Sequence, residues 1–473
     1  MHDSTPATRV RRLYAEATAL LTLGAPLIGA QLAQIAVYFV DTVMAGHLSA
    51  HDLAAVAIGG QVFGTVWVTA IGILTAVAPA VAHRFGAQQY ADVGACVRQA
   101  LWLSQFVALV ALLVLRGAAP LLRWMAIEPA IQATTLGYIQ AIAWGLPAVC
   151  AFQVLRACSE GVSKTAPIFY ISLLGLLGNI VGNTLFMYGG LGLPRLGAVG
   201  CGVASAIVMW LMLAMMLLYT ATAAAFKPLQ LFARAEWPRL QVIWPLVRLG
   251  LPIGVSLCME GGLFTAVALL MGSLGQTVVA GHQIAINVAA IAFMVPLGLA
   301  LAITVRVGQA MGRGAPGEAR FAGRVGIGLA GLFMALSALL MATCAPAIAG
   351  IYSRDPEVSR MAVSLLSLAA LFQISDGLQV AGAGALRGLQ DTRLPMLITV
   401  TAYWVIGLPL GYLLGIVQAR GPQAIWVGII AGLTVAAVLL NSRFYMLTRS
   451  LRPAQPVPVT PVPGVTRPES EAR

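Results

Sequence analysis

Long apolar runs that do not alternate with polar residues constrain this chain more than any other feature. Each is longer than 20 residues, and they fall near 22–46, 53–80, 100–122, 133–155, 167–189, 198–222, 249–272, 279–305, 324–346, 361–385, 395–417 and 424–446. About 20 helical residues cross the ~30 Å hydrocarbon core of a bilayer, whereas barrel strands need only about 10 alternating ones. Backbone polar groups in hydrocarbon must bond within the protein, and a helix does this locally. Of 473 residues, 59% are hydrophobic and 9% charged, against ~25% charged in soluble domains. The expected fold is an all-α polytopic membrane protein with twelve transmembrane helices.

The net charge of +12 does not point to nucleic acid, because arginines sit in the short segments between apolar runs. With the N-terminus inside, 22 of the 28 basic residues fall on the inner side. This bias places both termini in the cytoplasm and the chain in the cell's inner membrane, with the basic loops against anionic lipid. The run after Arg9, Arg11 and Arg12 continues to Gly46, too long for the apolar core of a cleaved signal. The six cysteines lie in or beside apolar segments without CxxC spacing. They read as small hydrophobes and not as a disulfide or zinc framework.

The chain repeats itself. Leu23-Gly24-Ala25-Pro26 recurs as Leu249-Gly250-Leu251-Pro252 at an offset of 226, which also carries Gly46 onto Gly272 and Gly86 onto Gly312. Two six-helix lobes that both begin inside form a parallel repeat. The expected organisation is a cytoplasmic N-terminal segment over 1–15, an N-terminal lobe over 16–225 and a cytoplasmic linker over 226–248. A C-terminal lobe over 249–447 follows, then a Pro-rich disordered tail over 448–473.

Of sixteen acidic residues, only Asp41, Glu260 and Asp376 fall within apolar spans. A charge there costs about 2.5–3.5 kcal/mol on insertion scales, so it faces a bundle interior or a wet cavity. Gln31, Gln34, Tyr38 and Asp41 recur at three- and four-residue steps, one stripe of the first span. Ser172, Asn179 and Asn183 share a face of the fifth. Ser256 stands one turn before Glu260, Gln283 one turn before Asn287, and Phe372 one turn before Asp376. With no lysine nearby and hardly an arginine at matching depth, the natural countercharge is a proton, a metal cation or a cationic substrate. There is no GxxxxGK[ST], HExxH or paired CxxC, so ATP bound to this chain and metal-assisted enzyme chemistry are not expected. His47, His51 and His282 read as ordinary polar contacts.

With these residues in view, the chain resembles the multidrug and toxic compound extrusion (MATE) family, NorM-like branch, over about residues 15–447. The matching stretches are FVDTVMAGHL, NIVGNTLFMYG, LGLPIGVSLCMEGGLF, AGHQIAINV and DGLQVAGAGALRGLQDTRLP. The resemblance implies two six-helix lobes around a cleft, and antiport of cationic or amphipathic drugs and dyes against protons or sodium. Asp41, Asn179 and Asn183 match the polar site of the N-terminal lobe, and Glu260 and Asp376 the acidic pair of the C-terminal lobe. Gln283 matches a substrate-contacting position. Gln34, Tyr38, Asp41, Asn287 and Phe372 complete the expected substrate-binding set. A tyrosine tied to sodium in some relatives is Phe372 here, which favours a proton over sodium. Sodium held by Asp41, Asn179 and Asn183, or by Glu260 and Asp376, is the alternative. No cofactor is expected, and the chain is expected to act as a monomer. The rivals are a lipid-linked precursor flippase of the same superfamily, which calls for a basic central cavity, and a membrane-embedded enzyme, which calls for a catalytic set not found here.

Overall fold

The computed structural model describes residues 6–451 except 125, 126, 191, 193 and 235. Of the Pro-rich tail expected over 448–473, the first residues belong to a helix that runs to Ser450, and the part from 452 on lies outside the described residues. The first half holds α1 (Pro6–Leu48), α2 (Ala50–Leu74), α3 (Val77–Gly86), α4 (Tyr90–Arg116), α5 (Ala119–Trp124), α6 (Pro129–Ala143), α7 (Leu146–Gly161), α8 (Ala166–Phe186) and α9 (Ala198–Thr222). The second holds α10 (Leu240–Gly272), α11 (Gln276–Gly312), α12 (Pro316–Tyr352), α13 (Pro356–Gly388), α14 (Arg393–Val400), α15 (Leu408–Tyr412) and α16 (Pro422–Ser450). Eleven stretches of described residues are long and apolar enough to cross a bilayer. The twelfth is the pair α6 and α7, bent by 44°.

Local chemistry sets several helix ends. Ser49 caps α2 by accepting from the Asp52 amide at 3.0 Å, and Asp355 caps α13 by accepting from the Glu357 amide at 2.8 Å. Such caps satisfy amide donors that the first helical turn leaves open. Between α14 and α16 the eleventh span loosens into π-helical turns at Thr401–Gly407 and Leu413–Val417. Pro409 accounts for the first of these turns: it lacks an amide hydrogen, and its ring crowds the Val405 carbonyl four residues earlier.

Two helices begin inside segments expected to lie outside the lobes. α1 begins at Pro6, inside the expected terminal segment, and α10 at Leu240, inside the expected linker. The early turns of α1 are held by partners on other helices: Arg12 lies 4.7 Å over the Phe321 ring, and Arg306 donates to both Glu16 oxygens at 2.9 and 2.6 Å. The linker is strapped to α4. Arg98 pairs with Glu236 at 2.6 Å, Gln99 Nε2 donates to the Trp237 carbonyl at 3.0 Å, and the Arg239 amide donates to Gln99 Oε1 at 2.6 Å. The Arg98 hydrogen bond holds the Glu236 carboxyl below the usual carboxylate range.

The repeat is visible in side-chain bonds. Thr165 Oγ1 donates to the Leu23 carbonyl and Thr392 Oγ1 to the Leu249 carbonyl, both at 3.0 Å. The two acceptors stand at the repeat offset.

Between the lobes, the close approaches lie toward one end of the bundle. α1 meets α11 at Gly24 and Ile28 against Leu299 and Gly298, and α10 meets α2 where Gly250 and Gly254 face Ile73 and Gly72. A methyl added at Gly250 would strike the Ile73 carbonyl, and one at Gly312 would strike the His83 carbonyl. Gln309 Nε2 donates across the same junction to the Gly161 carbonyl at 2.8 Å and to Ser163 Oγ at 2.9 Å. Ten residues beyond Ile28, about 15 Å along the helix, Tyr38 is 43% exposed. On α11, a similar distance back from Gly298, Gln283 and Asn287 are exposed. Both helices carry exposed polar side chains at that depth, which we read as the walls of a cleft opening away from the chain ends.

Candidate functional site

In the N-terminal lobe the expected trio comes together. Asp41 is 6% exposed, Asn179 1% and Asn183 0%. One amide does double duty, because Asn183 Nδ2 donates to Asp41 Oδ1 at 2.7 Å and to Asn179 Oδ1 at 3.3 Å. The Cys201 thiol of α9, Tyr38 and Tyr138 lie within electrostatic reach of the same carboxylate. Neither Cys201 nor Tyr138 has a strong sequence signal; the only hint is the i, i+4 pair Cys201 and Ser205 on one face of α9. Asn179 Nδ2, Asn183 Oδ1 and Ser205 Oγ have no hydrogen-bond partner among the described residues.

Gln31 leaves the expected stripe. Its Oε1 accepts from Arg156 Nη2 at 2.9 Å, and Arg156 Nε pairs with Glu160 Oε1 at 2.8 Å. The sequence reading places both charges at a span end facing the aqueous side. They are instead 8% and 2% exposed. α7 is buried on nearly every side, and the two residues neutralise each other one turn apart.

In the C-terminal lobe Glu260 and Asp376 come within each other's electrostatic reach. Among the described residues neither carboxylate accepts a hydrogen bond, and Asp376 Oδ1 is buried without a partner. Tyr403, carried in by the first π-helical turn, is fully buried with its hydroxyl unpartnered and lies near both acids. Trp404 Nε1 donates to the Met259 carbonyl at 3.0 Å, fixing this turn against α10 beside Glu260. The Arg387 guanidinium also reaches Glu260 electrostatically. Arg387 stands in the last turn of α13, eleven residues beyond Asp376, and so reaches Glu260 from the span end. Neither Arg387 nor Tyr403 stands out in the sequence.

Phe372 is corrected as well. Placed among substrate-binding residues by resemblance, it is 2% exposed in the lobe core. It lies edge-on to Phe264 at 6.1 Å and to Trp426 at 5.8 Å, with His282 5.7 Å from Trp426. These rings form an apolar wall one turn from Asp376. Gln283 and Asn287 keep an exposed position, with Gln283 Nε2 donating to Asn287 Oδ1 at 3.2 Å. Gln34 is half-buried on the cleft-side stripe of α1. Ser256 is turned back on its own helix, donating to the Pro252 carbonyl at 2.9 Å. His47 and His51 bond the Val43 carbonyl and Thr134 Oγ1, each at 2.8 Å. Among the described residues no His, Cys, Asp and Glu group has the geometry of a metal centre.

The family model MatE matches the chain twice, over residues 26–185 and 252–413, the two matches beginning 226 residues apart. The chain belongs to the MatE family. Among curated proteins, it is 45% identical over 452 residues to the multidrug resistance protein PmpM of Pseudomonas aeruginosa, covering 94% of each chain. Among solved structures, the eukaryotic MATE transporter AtDTX14 superposes with a TM-score of 0.83 at 20% identity, over 93% of this chain and 99% of that one. An outward-facing multidrug resistance MATE family transporter of the MOP superfamily gives 0.84 at 20% identity, over 92% and 96%. At that identity the two structures speak to the fold, and they carry the all-helical, two-lobe architecture over nearly the whole chain. This MatE protein is therefore a multi-span membrane transporter and not an enzyme.

Proposed function

We propose that this chain is a multidrug efflux antiporter. It exports cationic or amphipathic small molecules in exchange for an ion, the proton being favoured over sodium. It works as a monomer in the inner membrane with both termini in the cytoplasm, so the cleft described above opens outward. PmpM, a multidrug resistance protein by name and 45% identical, supports the multidrug reading. The observation that carries the exchange mechanism is the Glu260–Asp376 pair, two intramembrane acids with no hydrogen-bond donor among the described residues. An uncompensated charge in such surroundings is costly, so the pair calls for a countercharge that can be exchanged.

Charge competition follows. A proton entering from outside neutralises one acid of the pair and displaces a cationic substrate held in the cleft. Exchange becomes directional only if the outward- and inward-open states differ in affinity for each ion. A membrane potential of 100 mV supplies about 2.3 kcal/mol per net charge moved, so one-for-one exchange of a proton for a monocation is driven by the pH gradient alone. For sodium, a hard cation that takes several oxygen ligands, Phe372 offers none beside Asp376. The oxygens of Asp41, Asn179 and Asn183 remain as the rival sodium site.

The test is efflux of a fluorescent monocationic dye from proteoliposomes. Transport is expected with a proton gradient and no sodium. Transport only with sodium and a collapsed proton gradient would reverse the ion assignment, and no dye transport in either condition would overturn the export reading.

A further inference from the structure

Two depressions on the face that carries the chain ends differ in how their arginines are neutralised. One is lined by α1, α11 and α12. There Arg306 is taken by Glu16, Arg313 pairs with Glu318 at 3.0 Å, and Arg12 lies over Phe321. Each of its arginines has a partner.

The other is a cavity of about 320 Å³ between the lobes. This size is at the lower end of the roughly 300–1,000 Å³ of small-molecule sites. α3 of the N-terminal lobe contributes Arg84, α10 contributes Arg248, and the segment leading into α14 contributes Gln390, Asp391, Thr392 and Arg393. Its one carboxylate, Asp391, is already engaged by Arg443 Nε at 3.1 Å. None of the five ion pairs among the described residues includes Arg84, Arg248 or Arg393.

The frame around these charges is fixed. Arg84 Nη1 donates to the Ala80 carbonyl at 3.0 Å, and the Asp391 amide donates to the Leu386 carbonyl at 3.0 Å. Thr392 Oγ1 ties the segment to α10 through Leu249 at 3.0 Å. At the repeat offset, Ala80 and Arg84 of this cavity correspond to Arg306 and Ala310 of the neutralised depression, so the like-charged arrangement is particular to this side. Guanidinium groups match phosphate oxygens in pairs of parallel hydrogen bonds. Like charges gathered without a counterion repel one another.

We propose that this cavity binds a phosphate-bearing anion, held by Arg84, Arg248 and Arg393 so that it bridges the two lobes. The same chemistry is offered by an anionic phospholipid headgroup and by free phosphate.

The test uses the full chain in detergent and reads its thermal unfolding. Inorganic phosphate is titrated at constant ionic strength, soluble short-chain phosphatidylglycerol is titrated in parallel, and short-chain phosphatidylcholine is the control. A saturable rise in Tm is expected with phosphatidylglycerol, phosphate or both. Response to the lipid alone assigns the headgroup as the source, and response to phosphate assigns the free anion. R248Q/R393Q should weaken the apparent affinity at least tenfold, whereas R449Q, which removes one exposed charge elsewhere, should leave it unchanged. If the double variant does not fold, R393Q alone must show the weakening. Absence of a saturable response, an equal response to phosphatidylcholine, or an undiminished response in the folded arginine variants would overturn the proposal.

Discussion

Asp41 and the Glu260–Asp376 pair sit in lobes that follow one chain path, yet their surroundings differ in kind. Asp41 receives a 2.7 Å amide hydrogen bond from Asn183 and has the Cys201 thiol within its electrostatic reach. One helix away, Arg156 and Glu160 neutralise each other. In the C-terminal lobe two acids share one region with no hydrogen-bond donor among the described residues, against a wall of Phe264, Phe372 and Trp426. Among the described residues Arg387 reaches the pair electrostatically, acting on Glu260. A carboxylate that already has donors can stay charged through a transport cycle, whereas a donorless pair cannot do so without a countercharge. On this reading the C-terminal lobe exchanges the coupling ion, and the N-terminal lobe supplies a polar wall for the substrate.

The largest effect should come from Glu260→Gln and Asp376→Asn. Each is expected to abolish gradient-driven dye export while expression and insertion stay normal, since neutralising an intramembrane acid lowers its insertion cost. Full export by both variants would make the pair a structural anchor. Glu160→Gln should act on stability, because it strands the buried Arg156 charge. A loss of about 3–5 kcal/mol is expected, read as a lower thermal midpoint, with partial recovery in Arg156→Gln/Glu160→Gln. An unchanged midpoint would show that Gln31 alone satisfies Arg156.

Asp41→Asn keeps the shape and removes the charge. Transport is expected to fall about tenfold, equivalent to ~1.4 kcal/mol, and a total loss equal to that of Glu260→Gln would erase the distinction between the lobes. Phe372→Tyr should have the smallest effect. It places a hydroxyl inside the aromatic wall, costs about 1–3 kcal/mol if unpartnered, and supplies an oxygen one turn from Asp376. Sodium-stimulated export is expected to emerge in this variant, measured in sodium-free and sodium-loaded vesicles.

What the sequence reveals and conceals follows from the same physics. Lipid imposes length and charge rules on the chain itself, so the spans, the 226-residue repeat and the three intramembrane acids can be read from single residues. Asn179 and Asn183 are legible because they stand one turn apart. Tyr403 is hidden because its place depends on a π-helical turn, and Pro409, the one visible cause, lies six residues further on. Arg387 and Glu160 sit where a span meets a loop, and pattern alone does not say on which side of that boundary a charge is buried. Phe372 shows the limit of resemblance: its position in the chain matched a site, but its ring faces the core.

The division of labour between the lobes can be measured without transport. A monocationic dye is added to purified protein in weakly buffered, sodium-free detergent solution near pH 7, and a pH indicator counts protons released on binding. Wild type and Asp41→Asn should release protons as the dye binds, and the double variant Glu260→Gln/Asp376→Asn should release none. Undiminished release from that double variant, or loss of release only in Asp41→Asn, would contradict the assignment of ion exchange to the C-terminal lobe.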